Sequence, residues 1–147
     1  YIEHSLRKHN NAPIFYTKIG YDTPININGQ YLTDKLENKE IVLFCGIANP
    51  TPLVNYLEKK GNVVQLIQYP DHHNYNTSDF DKVKSIFKKT KQTNKLILTT
   101  EKDMQRVDKD TFKNYPLYYI PIHLQFIDNK QDTFNQFIEN YIIKNLD

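Results

Sequence analysis

From Glu40 onward the chain alternates short apolar runs with segments of helical period, and few folds accommodate that alternation. Ile41-Val42-Leu43-Phe44-Cys45-Gly46-Ile47 is continuously apolar, which predicts a strand buried on both faces. In Ala48-Asn49-Pro50-Thr51-Pro52, either Asn49 caps a helix whose first position is Pro50, or Thr51 caps one that begins at Pro52. Leu53, Val54, Tyr56 and Leu57 fall near one face of that helix, and Gly61 stands where a left-handed residue would stop it. A second strand runs from Val63 to Tyr69. Asn76-Thr77-Ser78-Asp79 then opens a helix as a capping-box variant, with Phe80, Val83, Ile86 and Phe87 as its apolar stripe and Lys82, Lys84, Lys88 and Lys89 as a solvated face. Leu96 to Thr100 reads as a third strand, followed by a short helix from Glu101 capped by Thr100 with Asp103 three positions on. Tyr118 to Phe126 is a fourth extended run, and Pro121, which has no N–H to donate, puts it at an edge or bends it. Phe134, Phe137, Ile138, Tyr141 and Ile142 mark a closing helix over 132–146 behind an Asp132-Thr133 cap.

Strands that alternate with helices predict an α/β fold: a mainly parallel sheet with flanking helices, joined by right-handed crossovers. Residues 1–40 read differently, as the frayed end of a helix, a strand at Ile14 to Ile19 and a polar turn at Asn28-Gly29, with little core of their own. The expected organisation is therefore a linker and connecting-strand region, 1–40, and an α/β lobe, 41–147, that includes a returning strand over 117–127. A chain of 147 residues with 39% hydrophobic content supports one core. Nineteen basic residues against seventeen acidic ones, spread along the chain, lack the concentrated basic stripe of a nucleic-acid surface. Cys45 is the only cysteine, so an internal disulfide is excluded and a buried small hydrophobe is expected. No run of about 18 apolar residues and no signal-peptide core occurs, so the chain is expected to be soluble. Its first residue, Tyr1 rather than Met, leads us to expect an upstream part.

In a parallel sheet every strand-to-helix turn lies at the carboxyl edge, where ligands bind in open α/β folds. Three unusual segments occupy such turns: Gly46-Ile47-Ala48-Asn49, Asp71-His72-His73, and Thr99-Thr100-Glu101-Lys102-Asp103. Asp71-His72-His73 places two groups that titrate near neutral pH beside a carboxylate, suited to proton transfer, metal binding or anion contact, or serving only as a polar turn. The chain has no Gly-x-x-x-x-Gly-Lys-Ser/Thr loop and no Gly-x-Ser-x-Gly elbow, and Cys45 lies mid-strand, which argues against an internal nucleophile. His4, His9 and His123 stand alone and read as surface or packing residues. An Asp-His-His triplet after a strand also fits a metal-dependent phosphoesterase, but that site needs several more carboxylates, and Lys102 between Glu101 and Asp103 would repel a cation. A non-catalytic α/β ligand-binding domain is the further alternative.

Phe44-Cys45-Gly46-Ile47-Ala48-Asn49-Pro50, Tyr69-Pro70-Asp71-His72-His73-Asn74-Tyr75 and Thr99-Thr100-Glu101-Lys102-Asp103, in that order and at these separations, resemble the C-terminal half of the tetraacyldisaccharide 4'-kinase (lipid A 4'-kinase) family. The resemblance runs from about Ile14 to the end and includes Pro116 to Ile122. It implies the C-terminal lobe of a P-loop kinase that transfers the γ-phosphate of ATP, with Mg²⁺, to the 4'-hydroxyl of a tetraacyldisaccharide 1-phosphate, a lipid A precursor. The phosphate loop, the metal carboxylates and a catalytic aspartate would lie in an N-terminal half, so this chain alone is expected to bind neither ATP nor metal and to be inactive. His72 would face that aspartate and take or relay the proton of the sugar hydroxyl, with Asp71 orienting it. His73, Asn49, Glu101 and Lys102 are candidate contacts to substrate or nucleotide. Asn49 is equally explained by capping, and Glu101 and Lys102 by pairing with each other. Residues 1–40 and 116–127 would be linking strands between two lobes. The complete enzyme would work at the cytoplasmic face of the bacterial inner membrane.

Overall fold

The computed structural model describes residues 2–7 and 11–145; His9 and the last predicted helical residue, Leu146, lie outside them. The chain forms two compact units, one of residues 1–20 with 123–147 and one of residues 21–122. The sequence pattern instead changes at Glu40.

The first unit holds helix α1 (Ile2–Arg7), all but the last residue of strand β1 (Thr17–Tyr21), all but the first residue of strand β7 (Ile122–Phe126), with which β1 pairs, and helix α5 (Gln131–Lys144). Strand β1 starts three residues later than the expected Ile14, and Phe15 ahead of it packs edge-on against Phe126 and Phe134 at centroid distances of 6.3 and 5.2 Å. The Asp132-Thr133 cap does not form: α5 begins at Gln131, with Lys130 in the capping position and no side-chain cap.

The second unit is built on a five-stranded sheet of order β2-β6-β5-β3-β4, from strands β2 (Ile25–Asn26), β3 (Glu40–Cys45), β4 (Val63–Gln68), β5 (Lys95–Thr100) and β6 (Leu117–Ile120). Strands β4, β3, β5 and β6 are mutually parallel; β2 is antiparallel to β6. Central strand β3 is apolar throughout because both its faces are covered. Val42 and Phe44 join Ile67, Phe80, Val83, Ile97 and Phe112 on one side, under helix α3 (Thr77–Lys89); Ile41 and Leu43 join Leu53, Leu57, Leu96 and Leu98 on the other, under helix α2 (Thr51–Lys59). Gly61 ends α2 region at φ 79°. The fourth extended run is interrupted at Pro121. Pro121 separates β6, paired on both sides within the sheet, from β7. The capping box of α3 forms as expected, between Asn76 and Asp79. One lysine of its solvated face departs from expectation: Lys84 lies 5.3 Å over the Phe112 ring.

The stretch 21–40 carries more core than its composition predicts. Leu36 is buried with Leu57 and Ile120, while Asn62 donates to the carbonyls of Leu36 (2.7 Å) and Leu57 (2.9 Å) and accepts from the Lys39 N–H (2.9 Å). Those partners lie up to 26 residues away, beyond the reach of a periodicity argument.

Candidate functional site

The three expected turns do meet at the carboxyl edge of the parallel sheet. Helix α4 (Glu101–Met104) follows β5 directly, and Lys102 Nζ donates to Asp71 Oδ1 at 2.7 Å, joining the third turn to the second. Gly46, just past β3, donates its N–H to Asp103 Oδ2 at 3.0 Å, joining the first turn to the third. Lys102 therefore pairs with Asp71, correcting the expected alternative of a Glu101–Lys102 pair; Glu101 is solvent-exposed beside it.

The turn after β4 has two unlike histidines. His73 is built in. Its Nε2 lies 2.9 Å from Asp79 Oδ2, its ring stacks on Tyr69 at 4.7 Å, its N–H donates to the Pro70 carbonyl and its own carbonyl accepts from Arg106 Nη1 at 2.9 Å. His72 adopts a left-handed backbone, φ 59°, and leaves 74% of its side chain exposed. Its only fixed neighbour among the described residues is Asp71: the His72 N–H donates to Oδ1 at 3.0 Å, and Nε2 is 3.6 Å from Oδ2. The hydrogen bond from the Lys102 ammonium holds the Asp71 carboxyl below its ordinary value, so Asp71 is a carboxylate at neutral pH. Burial opposes ionisation of Asp79, but the hydrogen bonds from His73 and the Asn76 N–H outweigh it and leave this acid below its ordinary value too.

Asn49 acts locally: its Oδ1 accepts from the Thr51 N–H at 3.1 Å, while Pro50 occupies the capping position of α2 without a side-chain cap. Cys45 is buried, and burial, with the charge of Asp103 behind it, pushes its thiol up to about 11. It is protonated at neutral pH and a poor nucleophile.

The sequence places Tyr75 and Asp103 in its motifs but shows neither of the roles they take here. Tyr75 inserts among Phe44, Tyr69, His73 and Phe80, stacking on Phe80 at 5.5 Å, so it anchors the far end of the His72 turn. Burial first, then the neighbouring charge of Asp103, raises its hydroxyl well above the ordinary phenol value. Asp103, expected as part of a helix cap and weighed as a candidate carboxylate for a metal, is fully buried. Its spacing from Thr100 signals the cap; nothing local signals Gly46, 57 residues earlier.

Residues 3–143 match the family model described as tetraacyldisaccharide-1-P 4'-kinase. The chain belongs to this kinase family. It is 33% identical over 147 residues to the tetraacyldisaccharide 4'-kinase of Bacteroides thetaiotaomicron, a match covering 96% of this chain and 38% of that protein. With the enzyme of the same name from Flavobacterium psychrophilum the identity is 31%, covering 96% and 39%. With that of Bacteroides fragilis it is 34% over 73% of this chain and 30% of the relative. The chain thus spans well under half the length of these relatives. No solved structure gives a significant match. All three turns of the site lie inside the segment matched by the tetraacyldisaccharide-1-P 4'-kinase model.

Proposed function

We propose that this chain is the C-terminal lobe of a P-loop kinase that transfers the γ-phosphate of ATP to the 4'-hydroxyl of a tetraacyldisaccharide 1-phosphate in lipid A biosynthesis, and that His72 handles the proton of the attacking hydroxyl. The observation that carries the role of His72 is its placement: an exposed imidazole on the carboxyl edge of a parallel sheet, beside a carboxylate held ionised by Lys102. Asp71 orients the ring and offsets the positive charge that develops as it takes the proton. His73, tied to Asp79 and stacked on Tyr69, supports the turn. Lys102, half-exposed next to Asp71, would meet a phosphate oxygen of the substrate or nucleotide.

Such a kinase supplies the phosphate loop and the Mg²⁺ carboxylates from another part of the protein. Among the described residues no three His, Cys, Asp or Glu side chains converge on a common point, so the donor set here does not fit a metal. Nor is any helix among them long and apolar enough to cross a membrane. The complete enzyme would meet its lipid substrate at the cytoplasmic face of the inner membrane.

Steady-state kinetics of His72→Ala in the complete enzyme test this reading. Loss of a positioned proton-transfer group costs about 100- to 10,000-fold, here expected in kcat with both Michaelis constants nearly unchanged. An exposed side chain contributes little to stability, so the unfolding free energy should move by less than about 1 kcal/mol. Near-normal kcat, or a collapse of stability in its place, would return Asp71-His72-His73 to the standing of a structural turn.

A further inference from the structure

The fully buried Asp103 is more than the helix-capping residue its position implies. In a capping box the acid three residues after the cap reaches back to the cap's own backbone N–H. Here Thr100 Oγ1 accepts from the Asp103 N–H at 3.1 Å, as a cap should, but the Asp103 carboxylate takes donors beyond the cap's backbone. Its Oδ2 accepts from the Gly46 N–H at 3.0 Å and from the Thr100 hydroxyl at 2.7 Å. Its Oδ1 and the Tyr75 hydroxyl are both buried and neither makes a hydrogen bond of regular geometry, although the two groups are neighbours. Among the described residues no cation pairs with this carboxylate. Burying a carboxyl group this deeply costs stability, and a side chain without one would cap α4 without that cost. Departures of this kind concentrate at functional sites.

Two routes lead from Asp103 to the His72 turn. The first passes through α4: the residue before Asp103 is Lys102, whose ammonium grips Asp71, the neighbour of the His72 ring. The second passes through Gly46. A Cβ at that position would sit 3.0 Å from the Pro70 carbonyl, 3.3 Å from Asp103 Oδ1 and 3.3 Å from the Tyr75 hydroxyl. Pro70 opens the turn and Tyr75 closes it, so both ends rest against the Gly46–Asp103 junction. Building on the proton-handling reading of His72, we propose that Asp103 is a positioning residue for the reaction, fixing the place of His72 by tying the turn after β3 to the start of α4 and bracing both ends of the turn after β4.

Asp103→Asn in the complete enzyme keeps the shape of the side chain and removes its charge. The expected result is a folded protein whose kcat falls by about tenfold or more with both Michaelis constants within about twofold, the pattern of an interaction expressed in the transition state. In a His72→Ala background the same substitution should change kcat by less than about threefold, because residues acting through one another are not additive. A kcat within about threefold of the parent in folded Asp103→Asn, or equal losses in both backgrounds, overturns the proposal. Should Asp103→Asn fail to fold, Gly46→Ala carries the same comparison, since its methyl presses on Pro70, Asp103 and Tyr75 together. A normal kcat for His72→Ala would sink the reading of His72 instead. Histidine-ring NMR of the complete protein then judges Asp103 by itself: His72 ring resonances that move in Asp103→Asn, and stay put in the exposed-surface variant Lys88→Ala, uphold positioning, whereas an unmoved ring overturns it.

Discussion

His72 is held at φ 59°, a conformation that costs an L-residue roughly 1–2 kcal/mol and a glycine almost nothing. The strain is sustained by the surrounding anchors, with His73 bound to Asp79 on one side and Asp71 bound to Lys102 on the other. It follows that His72→Gly should be more stable than His72→Ala, by up to about 1 kcal/mol, although neither retains an imidazole. Urea unfolding of the pair checks this, and an alanine variant as stable as the glycine one would mean that the backbone relaxes out of the left-handed region. His73 is the opposite case. The sequence ranks it behind His72 as a candidate contact, and the fold supplies a reason: its ring is shared between Tyr69, Tyr75 and Asp79.

Helix α3 ties the site to the scaffold at the scale of an element. Asn76 Oδ1 accepts from the Asp79 N–H at 3.2 Å while Asp79 Oδ2 accepts from the Asn76 N–H at 3.0 Å, and the same Oδ2 meets His73. One carboxylate thus caps the helix and holds the turn that bears His72. Its folded pKa lies below the ordinary 3.8, so the ionised form stabilises the folded state. That contribution is complete above the ordinary value and is lost as pH falls from there through the lower folded value. Asp79→Asn should therefore cost about 1 kcal/mol at pH 7, in the range of a lost cap, and should flatten the acid limb of the stability curve. Chemical denaturation at a series of pH values between about 2 and 7 measures both effects. An unchanged acid limb would show that other carboxylates carry it.

At the scale of the whole molecule, the site stands on the aromatic cluster beneath it. Phe44 is fully buried, stacks on Phe112 at 6.1 Å, and meets Tyr75 and Phe80 edge-on at 5.7 and 6.3 Å. Phe44→Ala should cost about 3–5 kcal/mol, the range for a buried phenylalanine, visible as a large drop in the unfolding midpoint. A loss below about 1 kcal/mol would mean that the cluster collapses around the gap. A second expectation separates the kinase from the metallo-esterase. Because no three metal-ligating side chains converge among the described residues, added Mn²⁺ should leave the melting temperature of this chain nearly unchanged. A rise of several degrees that disappears in a His72→Ala, His73→Ala double variant would favour the esterase.

The alternation of apolar runs by itself determined the α/β class, the two-sided burial of β3, the capping box at Asn76 and the convergence of three turns on one sheet edge. These follow from local periodicity, from short-range hydrogen bonding and from the handedness of parallel crossovers, all carried by neighbouring residues. The sheet order and the place of β2 came only with tertiary structure, since strand partners are chosen by packing between distant segments. So did the contrast between the two histidines. The sequence ranks His72 ahead of His73, but only the folded turn shows His73 held by Asp79, Tyr69 and Tyr75 while Lys102, 31 residues on, grips Asp71 and His72 stays exposed. Asp103 shows the same limit most sharply, because a local pattern explains its backbone while its carboxylate is committed to Gly46, 57 residues away.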